Sequence, residues 1–96
     1  MSTKEAYKQK IEAEVELAQA KLAGLRAKAK ISAADARIKY AKQIDDLELG
    51  AEAMKAKLKK LGEVNEDAWD HLKAEVDIAC GVLRDGVRDI TGKLNK

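Results

Sequence analysis

The chain has 96 residues, with 19 Lys/Arg against 17 Asp/Glu, 46% hydrophobic and 38% charged residues, 3% aromatics, and neither Phe nor Pro. That length holds one domain. A composition rich in Ala, Glu, Lys and Leu, and poor in aromatic and turn residues, excludes a strand-based fold and marks long helices. A net charge of +2 is too small to point to nucleic acid or membrane by itself, and the apolar runs are too short to span a bilayer.

Helix signals begin at the first residues, where Ser2 and Glu5 have the spacing of a capping box. From there apolar positions step by three and four through Tyr7, Ile11, Val15, Ala18, Leu22, Leu25 and Ala29. The stripe runs on through Ser32, Ala36, Tyr40, Ile44, Leu47, Ala51, Met54, Leu58 and Leu61. This is the heptad pattern of helices that pack side by side. Consecutive four-steps at Tyr7–Ile11–Val15 and Ala36–Tyr40–Ile44 are stutters, which unwind a supercoil locally without ending the helix.

Ser32-Ala-Ala-Asp35 has a capping pattern, but the segment from Leu25 to Leu49 contains no Gly or Pro. The sequence therefore favours one helix over about residues 3–61, roughly 87 Å long at 1.5 Å per residue. A break near Ser32, giving a three-helix bundle, is the alternative. Gly62 follows Lys59 and Lys60 where a terminating C′ glycine belongs. Asn65 reads as the next N-cap, with Glu66, Asp67 and Asp70 in the first turn and Val64 and Trp69 spaced as a hydrophobic staple.

The helix expected over about 66–94 carries Trp69, Leu72, Val76, Ala79, Leu83, Val87, Ile90 and Leu94, with Ile78, Cys80 and Val82 widening the face. Gly81, Gly86 and Gly92 lower its intrinsic helicity, so it depends on packing. Residues 1–62 hold 14 Lys/Arg against 9 Asp/Glu and residues 63–96 hold 5 against 8, net +5 and −3. Opposite signs favour docking of the two segments. The fold expected is all-α, a long antiparallel helical hairpin within a single 1–96 coiled-coil domain. Half of its first helix lacks a partner, so a homodimer is expected. The seam comprises Ile11, Val15, Leu22, Leu25, Tyr40, Ile44, Leu47, Met54, Leu58, Leu61, Trp69, Leu72, Val76, Leu83, Val87 and Ile90.

Few residues carry chemistry. His71, with Asp67 and Glu75 one turn to either side, lacks the Glu-x-x-His spacing of di-iron bundles and further ligands for zinc. It reads as an exposed histidine, and no metal or cofactor is expected. Cys80, the sole cysteine, reads as a small core residue, with no adjacent basic residue to lower its pKa. No nucleophile–base pair is recognisable, so the chain is not expected to be an enzyme. Lys21, Arg26, Lys28, Lys30, Arg37, Lys39 and Lys42 form a basic strip opposed only by Asp35. That strip reads as a solvated flank, a docking strip for the acidic second segment, or an electrostatic footprint for nucleic acid or anionic lipid. Lys55, Lys57, Lys59 and Lys60 cluster near a helix C-terminus, where cations are favourable. Trp69, Leu72 and Val76 are either internal or an anchor for a partner.

Lys-Glu-Ala-Tyr at residues 4–7, Ala-Asp-Ala-Arg-Ile-Lys-Tyr at 34–40 and Asp-Ala-Trp-Asp-His-Leu-Lys at 67–73 resemble segments of small, functionally uncharacterised bacterial coiled-coil domain-containing proteins. The resemblance covers most of the chain, implies a bacterial cytoplasmic origin and brings no active site. Gly50, Cys80, Gly81 and Gly86 stand where such helices more often carry charged or bulkier residues. The start of the chain lacks the apolar core of a signal peptide, which also agrees with a cytoplasmic location. The function expected is non-enzymatic: a structural or interaction protein that self-associates through the heptad seam. Alternatives are an amphipathic binder of lipid or granule surfaces and a weak nucleic-acid binder acting through the 21–42 strip.

Overall fold

The computed structural model describes residues 3–94, apart from the Glu66 side chain. The Ser2 N-cap expected from the sequence lies outside the described residues. Three helices follow one another: α1 (Thr3–Lys30), α2 (Ala34–Leu61) and α3 (Glu66–Leu94). Among the described residues there is no strand. The all-α class and the outer helix limits agree with the sequence pattern, and α3 matches the expected span.

The continuous first helix does not form. It breaks at residues 31–33, giving the three-helix bundle. The end of α1 tightens, with the Ile31 and Ser32 N–H groups donating to the Lys28 and Ala29 carbonyls at 3.2 Å each. The Ser32 hydroxyl, read as an N-cap for the following helix, instead donates backwards to the Ala29 carbonyl at 2.6 Å. Ala33 takes the N-cap position of α2 at φ −58°, ψ 151°, with no side-chain hydrogen bond. The reason is packing rather than local preference. Folding α2 back along α1 lets one chain cover both apolar stripes, and such burial contributes about 1.5–3 kcal/mol per large aliphatic side chain. With helices of 28, 28 and 29 residues, no half is left uncovered. The unpartnered half of the first helix, which was the reason for expecting a second chain, is absent from this arrangement.

The second connection is built differently. Gly62 ends α2 at φ −71° in the right-handed region, so the left-handed freedom expected of a terminal glycine is not used. The Glu63 N–H closes the end by donating to the Lys60 carbonyl at 2.9 Å. Asn65 caps α3 as expected, its Oδ1 accepting the Ala68 N–H at 3.1 Å.

The helices run up, down and up, so α1 and α3 are parallel. They enclose one core from end to end. Ile11, Val15, Leu22, Leu25 and Ala29 come from α1, Ile44, Ala51, Met54, Leu58 and Leu61 from α2, and Val76, Cys80, Leu83, Val87 and Ile90 from α3. Tyr40, Leu47, Trp69 and Leu72 are half-buried against this core. The sixteen seam positions thus pack within one chain. At Gly86 the α2–α3 approach is so close that a Cβ would stand 2.5 Å from Leu47 Cδ2, which accounts for a glycine in mid-helix. Lys57 and Glu75 pair across the same two helices at 3.9 Å. As an exposed pair it is worth at most about 1 kcal/mol.

Candidate functional site

The core uses one face of each helix, and grooves run along the outside between α1 and α3 and between α1 and α2. Six large apolar side chains remain exposed there: Leu17, Ile31, Ile38, Leu49, Ile78 and Val82. They do not share one face. Leu17 lines the α1/α3 groove, Leu49 the α1/α2 groove, and Ile78 and Val82 lie one turn apart on α3. No helix among the described residues is long and apolar enough to cross a membrane.

The α1/α3 groove is an open cleft of about 580 Å³. Its floor is the outer edge of the core: Leu25, Cys80, Leu83 and Val87, with Ala18 between them. Leu17, 57% exposed, rises from the α1 wall. The rims are cationic, with Lys21 and Lys28 from α1 and Arg84 and Arg88 from α3. Helical spacing produces this arrangement, since Lys21 and Lys28 are seven residues apart and Arg84 and Arg88 four, each pair on one face.

One carboxylate lies in the groove, that of Glu14, and it is engaged. Its Oε2 accepts the Cys80 thiol at 2.9 Å and lies 3.8 Å from Arg84 Nη2. Arg84 in turn donates to the Cys80 sulfur at 3.8 Å. Burial, followed by the hydrogen bond to Glu14, pushes the Cys80 thiol above its ordinary value, and Arg84 only partly opposes this. The surroundings therefore favour the protonated thiol over the thiolate. Cys80 is a core residue, as its neighbours in sequence suggested, but it has a basic neighbour one turn on that sequence adjacency missed. Among the described residues, neither Lys21 nor Arg88 forms an ion pair.

The α1/α2 side has the opposite character. A groove of about 550 Å³ there is lined by Gln19, Asp45, Glu48, Leu49 and Glu52. Arg26 reaches over it to Asp45 and Glu48 at 2.6 and 2.9 Å, and Gln19 donates to Glu52 at 3.1 Å. The basic strip read over residues 21–42 is therefore not one surface. Lys21 and Lys28 face α3, Arg26 serves α2, and Lys39 lies 5.9 Å over the Tyr40 ring beyond the turn.

At the base of the bundle, Trp69 packs edge-to-face on Tyr7 with ring centroids 5.5 Å apart, so it sits against the core and is half-buried. The Tyr7 hydroxyl donates to Asp77. His71 is exposed and lies 3.7 Å from Glu75. Among the described residues no group of three His, Cys, Asp or Glu side chains is placed to hold a metal ion. No protein-family model matches the chain, and no curated protein or solved structure matches it.

Proposed function

We propose that the protein is a non-enzymatic interaction protein that self-associates by exchanging α1 between two copies. The observation that carries this reading is the continuity of the apolar stripe across the first connection. Leu25, Ala29, Ser32, Ala36 and Tyr40 keep helical spacing through residues 31–33, and the connection holds no Gly or Pro. It has no side-chain N-cap, and it leaves Ile31 88% exposed. Straightened, it joins α1 and α2 into one helix. The α1 half of that helix then packs on the α2–α3 hairpin of a second copy, making the contacts it makes at home. Such exchange keeps the core of each unit and costs little beyond the hinge.

Ala34→Pro tests this directly. Ala34 is the first residue of α2, where Pro is well tolerated, and the φ and ψ of Ala33 suit a residue preceding Pro. In a continuous helix the same Pro loses a hydrogen bond and clashes with the preceding turn, at a cost of about 3 kcal/mol. Light scattering at micromolar concentration should show a concentration-dependent dimer for the parent chain and a monomer of unchanged helicity for Ala34→Pro. A parent chain that stays monomeric throughout refutes the reading.

A second reading, lipid binding, is favoured by the α1/α3 groove, with its apolar floor and cationic rims. It is independent of the first, because exchange of α1 rebuilds the same groove from two chains.

A further inference from the structure

We propose that the α1/α3 groove is a binding site for one single-chain fatty-acid anion, its tail on the groove floor and its carboxylate between Lys21 and Arg88. The proposal rests on the lipid-binding reading and gives it a ligand and a location.

Charge fixes the sign of the ligand. Lys21 from α1 and Arg88 from α3 line one groove, and an anion placed between two such cations is favoured by both. The lone acid, Glu14, is already engaged by Cys80 and Arg84. Charge also fixes the direction of the ligand. The Glu14 carboxylate repels an anionic head from its end of the groove, and Lys21 and Arg88 attract it further along. The tail then runs towards Leu17 and the floor beside Cys80.

Shape selects a single chain rather than a bilayer. From Lys21 to Glu14 the α1 wall is about 10 Å long at 1.5 Å per residue, so the groove takes the head-proximal half of an extended long-chain tail. The groove is recessed between helices, whereas docking on a bilayer requires apolar side chains projecting from one continuous face. Leu17, Leu49 and the Ile78–Val82 pair project from different faces. The groove on the other side of α1 is lined with acids and offers such a ligand nothing.

The test titrates oleate below its micellar concentration into the full chain by calorimetry, with anionic phosphatidylglycerol vesicles as a second arm. Saturable binding of one oleate per chain is expected. Lys21→Glu combined with Arg88→Glu should weaken it by about tenfold or more, as loss of charge-assisted contacts does. Lys42→Glu, an equal change outside the groove, should leave it unchanged. Gly24→Leu provides a variant that does not depend on charge. Gly24 lines the groove, and a Cβ there meets nothing within 4 Å, so the larger side chain fills the groove while helicity holds. Absence of oleate binding, or equal binding by all four proteins, overturns the assignment. Binding to vesicles without oleate binding overturns the groove and leaves the lipid reading standing. Binding to neither removes both.

Discussion

The two ends of the bundle reverse the chain by different means. At the 62–65 end a local cap is joined by tertiary contacts. Asn65 caps α3, Leu61 is 1% exposed, and Trp69 and Tyr7 pack edge-to-face. Lys4 and Lys73 lie over these rings at 5.5 and 5.4 Å. At the 31–33 end a side-chain cap for α2 is missing, and the one large side chain, Ile31, points into solvent. That reversal is held from a distance, by the burial that closure of α1 on α2 achieves. The Asn65 cap is made within the turn itself, whereas the 31–33 reversal has no such side-chain contact and rests on the packing of its helices.

The sharpest way to break this contrast is to truncate the large side chain at each end. Leu61→Ala should cost about 2–5 kcal/mol, as removal of a well-packed core leucine does. Ile31→Ala should stay within about 0.5 kcal/mol, as at other exposed sites. Urea unfolding of both variants decides it, and comparable losses would remove the distinction. Exchanging the caps has a smaller effect. Asn65→Ala should lose about 1 kcal/mol, and Ala33→Asp, which supplies the missing cap in a backbone conformation already suited to it, should gain about as much. A loss on capping Ala33, read from the thermal midpoint, would mean that the first turn is not limited by its cap.

The smallest effect concerns pH at the 62–65 end. Burial, with the hydrogen bond and charge of Asp77 adding to it, raises Tyr7 well above its ordinary value of 10.0. The fold therefore favours the neutral phenol. The stability this gives is complete below about pH 10 and is lost as pH rises beyond that. Tyr7→Phe should make the alkaline fall in midpoint shallower than in the parent chain, and an unchanged slope would show that Tyr7 contributes nothing to it.

The same contrast explains what could be read from sequence. Asn65 was legible because a side-chain cap is a local interaction, and the seam was legible because burial follows helical period. The break at 31–33 was not, since Leu25, Ala29, Ser32, Ala36 and Tyr40 keep that period through the turn and Ser32 bonds backwards. Only the gain from closing the chain on itself, a tertiary quantity, separates a bundle from a long hairpin here. The groove was illegible for a related reason. Its walls are residues 14–28 and 80–91, and Lys21 and Lys28 belong with Arg84 and Arg88 rather than with the basic residues that follow them in the chain. Only the parallel placement of α1 and α3 sorts these charges.

Gly86 has a consequence for how the parts move. Helices patterned on repeated small and aliphatic residues are prone to slide along one another, because each step of one turn presents a similar surface. Leu47 fits against α3 because Gly86 has no side chain. A slide of one turn either way would set Val82, Leu83, Asp89 or Ile90 in that place, and each carries a Cβ that the Leu47 side chain would have to move to admit. The contact favours the present axial register of α2 on α3. In the exchange proposed above, this contact would keep α2 and α3 together while α1 changes partner.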